Sequence, residues 1–340
     1  CLPSPHPSRI ISRTFLSIIL SFCQFFFNFC IPSKMRGKDT IFYLYLCGLI
    51  RTFDMKRLIF ILFFICAAVI SASGQSVVVV PGKAQPKPAR AWRIVAYNVG
   101  VFSKYYDDSM QDIANMMHEI GADAIALCEL DSCNRRHPVF QLADFAKAMS
   151  ADSLGVWSFR YGSAMQWNGG SYGTGVVTDL YVTDSFEIKL PKGDGYEPRV
   201  CVVAETPAYV IAAVHLDHSS EKVRMEQASL LTDELVRRYG RSRKPVFLCG
   251  DLNTVPGSPT LRQLSKDWKV LSAPSATYPS TEPLGCIDYI LAIRNRARFR
   301  VLGTGVCAEF ESADVRLVSD HLPVYVDVRT NRKMGLRARR

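Results

Sequence analysis

Residues 318–328 read VSDHLPVYVDV, and the way this stretch begins decides how the rest of the chain is read. After Pro323, Val324, Val326 and Val328 alternate with Tyr325 and Asp327. That is the period of a β-strand with one buried face. Directly ahead of it stand Ser319, Asp320 and His321. Asp favours turns, and a single His is most often just a hydrogen-bonded residue. Taken alone, the stretch admits a purely structural reading.

The same arrangement recurs upstream. The runs WRIVAYN (92–98), DAIALCEL (123–130), AYVIAAVHL (208–216), KPVFLCGDL (244–252) and CIDYILAI (286–293) are apolar and strand-like. Each carries a polar residue at or near its end: Asn98, Glu129, His215, Asp251 with Asn253 just beyond, and Asp288. A buried carboxylate is costly without a partner or a metal. One such position is unremarkable, but a whole set at strand ends implies one polar site at the edge of a sheet sandwich.

Between these runs, Ile113, Met116, Met117 and Ile120 fall at helical spacing and Gly121 closes the pattern. Residues 137–150 place Leu142, Phe145, Ala146 and Met149 on one side of a helix. Residues 156–216 read as short strands divided by Pro- and Gly-rich turns. A long helix is expected over 219–239, and Ser258 with Pro259 opens another. No internal repeat is visible. The fold class is α/β in one domain, without strict βα alternation.

The motifs, in order, are N, E, H-x-D, G-D-x-N, D-x-[IV] and S-D-H. Over roughly residues 91–328 they resemble the endonuclease/exonuclease/phosphatase family, the deoxyribonuclease I-like phosphoesterases. The resemblance implies a four-layer sandwich of two mixed β-sheets flanked by helices, with the site at one edge. It implies Glu129 as principal Mg²⁺ ligand, helped by Asn98 and Asp320, with Mn²⁺ as a substitute. Asp251 would orient or deprotonate the attacking water, and Asn253 would hold that water or the phosphate. His215 and His321 would sit on the scissile phosphate, and Asp288 would hold the second nitrogen of His321.

These residue types suit the chemistry. Attack on a phosphoester builds charge on its oxygens, which metal, imidazole and amide groups stabilise. A carboxylate supplies the base, and Mg²⁺ takes hard oxygen ligands. Arg199 resembles a phosphate-contacting Arg of the family, although an Arg at a strand head reads equally well as a solvated surface residue. Some relatives place a carboxylate where this chain has Gly100, which counts against the AP endonuclease branch. Asp217 and His218 have weaker claims, as helix cap and solvent-facing residue. The Gly-rich stretch 166–177 reads as a turn before a strand, and Trp167 and Tyr172 as loop aromatics packing on the sandwich.

The chain of 340 residues carries a formal charge of +10, but the charge is unevenly placed. Residues 1–74 hold eight Lys/Arg and two Asp/Glu, and residues 329–340 hold six Lys/Arg and no acid. That leaves 27 basic and 29 acidic residues in 75–328, a net of −2, so a general affinity for polyanions does not follow from the total. Met55, Lys56, Arg57, an apolar run to Ile70 and the small residues Ala72 and Gly74 have the layout of a secretory signal peptide. We therefore expect residues 1–54 to be an upstream extension, 55–74 a signal peptide, 75–90 a Pro-rich linker, 91–328 the folded domain and 329–340 a basic tail. The product is expected to be exported, periplasmic or secreted, after cleavage near Gly74. The competing reading is a protein anchored by one or two N-terminal spans. The six later cysteines fit no zinc motif, and Cys128, Cys201 and Cys249 read as small hydrophobes in strands.

The expected function is an exported Mg²⁺-dependent phosphoesterase, with a nuclease-like phosphodiester as first substrate and nucleic acid as its expected partner. A phosphomonoester or a phospholipid headgroup is the alternative. A non-catalytic binding module on the same fold and a membrane-anchored interaction protein are alternatives of other classes. No stable protein partner is expected, and the chain is expected to be a monomer.

Overall fold

The computed structural model describes residues 81–151, 155–193 and 197–330. The segments expected as upstream extension (1–54) and signal peptide (55–74), the first residues of the Pro-rich stretch and residues 331–340 lie outside the described residues. In chain order the strands are β1 (Trp92–Asn98), β2 (Ala124–Ser132), β3 (Ser158–Trp167), β4 (Gly170–Thr178), β5 (Asp184–Lys189) and β6 (Val200–Glu205). Then come β7 (Val210–His215), β8 (Val246–Asp251), β9 (Trp268–Val270), β10 (Asp288–Ile293), β11 (Phe299–Val306) and β12 (Val324–Thr330). The helices are α1 (Met110–Ile120), α2 (Gln141–Ala151), α3 (Glu221–Tyr239), α4 (Pro259–Leu264) and the short α5 (Val315–Val318).

Two six-stranded sheets form, in the orders β11-β12-β1-β2-β4-β3 and β5-β6-β7-β8-β10-β9. Both are mixed: β1–β2 and β7–β8 are parallel, and their neighbours antiparallel. Strands β6, β7, β8 and β10 of the second sheet are apolar on both faces, and their period of two sorts the side chains into two cores. Ile211, Ala213, Phe247, Cys249, Ile290 and Ala292 pack between the sheets. Val210, Ala212, Val214, Val246, Leu248 and Leu291 pack outward, under Leu231 and Leu235 of α3 and Leu261 of α4. Helices α1 and α2 close the first sheet with Ile113, Met117, Leu142 and Phe145. This is the expected four-layer sandwich.

The helices end where the sequence says they should. Gly121 takes a left-handed φ of 73° after α1, Ser220 Oγ accepts from Val223 N at the start of α3, and Ser258 Oγ accepts from Leu261 N ahead of Pro259. Helix α2 starts at Gln141, later than expected, because Asn134 Oδ1 accepts the backbone N–H of Arg136 and His137 and holds them in a turn. The Gly-rich stretch is the tip of a β3–β4 hairpin. Asn168 and Gly169, with φ of 47° and 88°, make its two-residue turn.

Three expectations are corrected. The Pro-rich stretch is docked along the domain. Gly82 pairs with the β11 end through Val306 O and Ala308 N, Gln85 N donates to Tyr325 Oη, and Lys87 pairs with Asp123. Strand β12 runs through Thr330, so the basic tail starts later than residue 329. And β12 is buried on both faces: Asp327, the polar alternate, forms a two-point ion pair with Arg93 at 2.7 Å, both side chains at most 2 % exposed. Strands β9 and β11 show no alternation in the sequence. Of the six cysteines described, all are free, and only Cys133 is exposed.

Candidate functional site

Strand parity delivers the polar residues to one place. In the second sheet, His215, Asp251 and Asp288 continue the inward-facing sets of Ile211 and Ala213, Phe247 and Cys249, and Ile290 and Ala292. Registry aligns them as well: His215 lies opposite Asp251 in the parallel β7–β8 pair, and Asp288 opposite Asp251 in the antiparallel β8–β10 pair. In β1, Arg93 reaches outward to α1 through Ile120 O, whereas Trp92 meets Tyr209, the residue that leads into β7 of the second sheet. Asn98, of Trp92's parity, therefore also faces inward.

Glu129 gets there by a different route. Cys128 Sγ reaches Val214 O across the gap, so Leu127 before it faces the helices, and simple alternation would send Glu129 the same way. The β2–β4 register slips between Leu127 and Leu130, and Glu129 takes φ of 60°. Leu130 then packs outward beside Leu142. This bulge turns Glu129 inward.

Asn98 ties the two sheets together. Its Nδ2 donates to Glu129 Oε1 at 2.9 Å and to Asp251 Oδ2 at 3.3 Å, and lies 3.4 Å from His321 Nε2. His321 Nδ1 donates to Asp288 Oδ2 at 2.9 Å, and Thr277 Oγ1 donates to the same oxygen at 2.6 Å. His215 Nε2 stands 3.4 Å and His321 Nε2 3.7 Å from Asp251 Oδ2. The three residues 319–321 are clamped: Ser319 Oγ donates to Asn98 O, Ser280 Oγ to Ser319 O, and Ser280 N to Asp320 O.

Burial, with the nearby Asp288 carboxylate, pushes the Asp251 carboxyl well above the ordinary carboxylate range. Burial works against the His321 imidazolium, but the charge and hydrogen bond of Asp288, together with Asp251, outweigh it and raise its pKa to about 9. Burial, then the Arg199 charge and His321, push His215 well below the usual imidazole range. One imidazole is thus held charged and the other neutral, on either side of one carboxyl.

A cavity of about 540 Å³ opens on this cluster. Glu129, Arg199, His215, Asp251, Asn253, Asp320 and His321 all line it. Asn98 and Asp288 stand directly behind, fully buried. Every residue expected from the sequence is thus brought together. Arg199 is 3 % exposed, so its surface reading is corrected. Its Nη2 meets Glu197 Oε2 at 2.9 Å and His218 Nδ1 at 3.3 Å, and its buried Nε has no partner. Asn253, at φ 48°, spends Nδ2 on Leu216 O, while its backbone N–H holds Asp251 Oδ1 at 2.8 Å. Asp217 is buried and accepts from Ser219 and Ser220, while Ser220 itself caps α3. Trp167 and Tyr172 sit on β3 and β4 and form a wall of the cavity with Met165 and Arg136, contrary to the loop-packing expectation.

The sequence reading missed Lys104, whose Nζ pairs with Asp320 Oδ2 at 2.7 Å, and Tyr278, whose ring lies 4.9 Å from that of His321. It also missed Thr277. None stands in an apolar run, so no periodicity marks them. Among the described residues, the three acidic or imidazole groups whose ligand atoms lie within 4.8 Å of one another are Asp251, Asp288 and His321. Within it, His321 Nδ1 and Asp288 Oδ2 are already joined by a hydrogen bond. Glu129 and Asp320 offer hard carboxylate oxygens instead, and Asp320 Oδ1 is buried without a partner, while Asn98 Oδ1 accepts from Gly100 N. That donor set fits a small divalent cation.

The model of the Endonuclease/Exonuclease/phosphatase family matches residues 95–321. No curated protein matches the chain. Similar solved structures include the mannosyl-6-phosphatase of Bacteroides thetaiotaomicron, 18 % identical over 70 % of this chain and 99 % of that one, with a TM-score of 0.56. The human Nocturnin catalytic domain with bound sulfate is 17 % identical over 72 % and 96 %, at 0.52. An endonuclease/exonuclease/phosphatase from Beutenbergia cavernae is 21 % identical over 71 % and 72 %, at 0.55. At these identities the likeness is one of fold.

Proposed function

The chain belongs to the endonuclease/exonuclease/phosphatase family, and on that premise we propose that it is an exported, divalent-cation-dependent phosphoesterase acting on a small phosphate ester. The observation that carries the reading is the chain Asp288–His321–Asp251–His215, buried and tied by Asn98 to Glu129 at the floor of one cavity.

Asn98, Glu129 and Asp320 would hold the cation, which when bound supplies positive charge to the phosphate oxygens. The remaining groups act on their own account. Asp251, its carboxyl raised toward neutrality, takes a proton from water held beside it. The Asn253 N–H fixes which oxygen of Asp251 faces that water. His321 is kept charged and oriented by Asp288, so its Nε2–H is available to a phosphate oxygen. His215, neutral, accepts or shares a hydrogen at the second side of Asp251. Arg199 stands in the cavity wall and adds positive charge beside the phosphate.

Of the substrates expected from the sequence, the cavity supports the small ester best. Its two arginines, Arg136 and Arg199, are each already paired, with Asp131 and Glu197, and four carboxylates share the lining. A nucleic acid lying across the site would call for a Lys/Arg-lined groove instead. The test is a panel assay of the full chain with Mg²⁺ on sugar phosphates, inositol phosphates, a phospholipid, plasmid DNA and RNA. Release of phosphate from a small monoester, lost in Asp251→Asn, is the expected result. Cleavage of DNA or RNA alone would replace this substrate reading with the nuclease-like one.

A further inference from the structure

At the far end of the sandwich lies a second cavity, of about 840 Å³, lined by Arg243, Arg296 and Arg298 with Asn295, Pro245 and Thr330. It sits where β7 and β8 begin and β10 and β12 end. The opposite ends of these strands carry or lead from His215, Asp251, Asp288 and His321, some 20 Å away at ~3.3 Å per residue. We propose that this groove binds the phosphate backbone of a nucleic acid, at a site separate from the catalytic cavity.

Charge is the first argument. Residues 237–245 and 294–300 carry Arg237, Arg238, Arg241, Arg243, Lys244, Arg294, Arg296, Arg298 and Arg300 without one Asp or Glu. Lys244 is neutralised by Glu205, and Arg237 and Arg238 share Glu234. Arg243, Arg296 and Arg298 are exposed and meet no carboxylate among the described residues. In a domain whose own net charge is −2, this is strong segregation of one sign.

An open polar atom is the second argument. Thr330 Oγ1, on the groove wall, is buried without a partner.

The occupant follows from the residue type and the lining. The free cations are guanidiniums, which pair with phosphate through two parallel N–H donors. A membrane-binding face would present Trp, Phe or Leu for insertion, whereas the apolar lining is only Ala208, Pro245 and Ala297.

The experiment measures fluorescence anisotropy of a labelled oligothymidylate of about 20 nucleotides with the full chain in EDTA, over a series of salt concentrations. The comparison is the combined Arg243→Ser, Arg296→Ser and Arg298→Ser variant, which keeps the same tail. At low salt its affinity is expected to fall at least about tenfold, and its log–log salt slope to drop by about 2, three contacts at ~0.7 each. Turnover of a small phosphate ester with Mg²⁺ should be unchanged, which separates this proposal from the catalytic one. Absence of oligonucleotide binding by the parent, or equal affinity and slope in parent and variant, would overturn it. So would loss of binding to phosphatidylserine vesicles with oligonucleotide binding intact.

Discussion

Asp251 and Asp288 face each other in register across the antiparallel β8–β10 pair, two carboxyl groups buried in one site. Two such charges side by side are costly unless a cation or a proton lies between them. His321 supplies it, bonded to Asp288 and within 3.7 Å of Asp251. His321→Ala is expected to lower kcat by ~10²–10⁴-fold. Asp251→Asn should match that loss while keeping the parent's thermal midpoint. Near-normal turnover in both variants would move the chemistry elsewhere.

Chelation provides a second test. EDTA should abolish activity, and Mg²⁺ or Mn²⁺ should restore it. Asp320→Asn should raise the cation concentration needed for half-maximal activity by ~10-fold or more, the scale reported for perturbed metal surroundings. Cation binding measured by calorimetry should weaken in parallel.

The Arg93–Asp327 pair is a structural counterpart to the site. Asp327→Ala leaves a guanidinium buried without its partner and is expected to cost about 3–5 kcal/mol in urea unfolding, since removing one member of a buried pair strands the other. Replacing both residues by apolar ones of similar volume should recover much of the loss.

Gly250 precedes Asp251 at φ 142°, and a Cβ there would lie 1.9 Å from Val214 O. Gly250→Ala is therefore expected to destabilise the fold by at least about 2 kcal/mol, read as a lowered midpoint. A variant as stable as the parent would mean that β7 and β8 can part without penalty.

Asp217 tests the sign of a pH effect. Burial opposes its ionised form, but hydrogen bonds from Ser220 and Ser219 outweigh this and hold its pKa below the usual value. A folded-state pKa below the unfolded one adds stability that is complete above about pH 3.9 and is lost as pH falls through the folded value. Asp217→Ala should cost about 1–2 kcal/mol at neutral pH. The gap to the parent should narrow below about pH 3.9. A gap independent of pH would mean the carboxylate's charge contributes nothing.

The strands that carry the site were legible because each is an apolar run with a polar residue at its end. Two sheets whose edges meet are the only economical home for that pattern. Lys104, Thr277 and Tyr278 were not legible: they sit in loops, where no periodicity reports direction. Glu129 was found as a residue, but its inward turn depends on a register slip that composition does not mark. Asp327 looked like the wet alternate of a half-buried strand, because its partner lies over two hundred residues away and only the folded sheet brings them together. The arginines at the far pole were hidden by the balanced charge of the domain as a whole.

The docking of residues 82–87 has a practical side. Gly82 occupies part of the flank of β11, which would otherwise be an open edge, and Gln85 O receives Arg93 Nη2. Trimming the protein to Trp92, where the first strand starts, would bare a hydrogen-bonding rim and invite strand-to-strand association between molecules. A shortened version intended for crystals or assays should therefore keep everything from residue 81 onward.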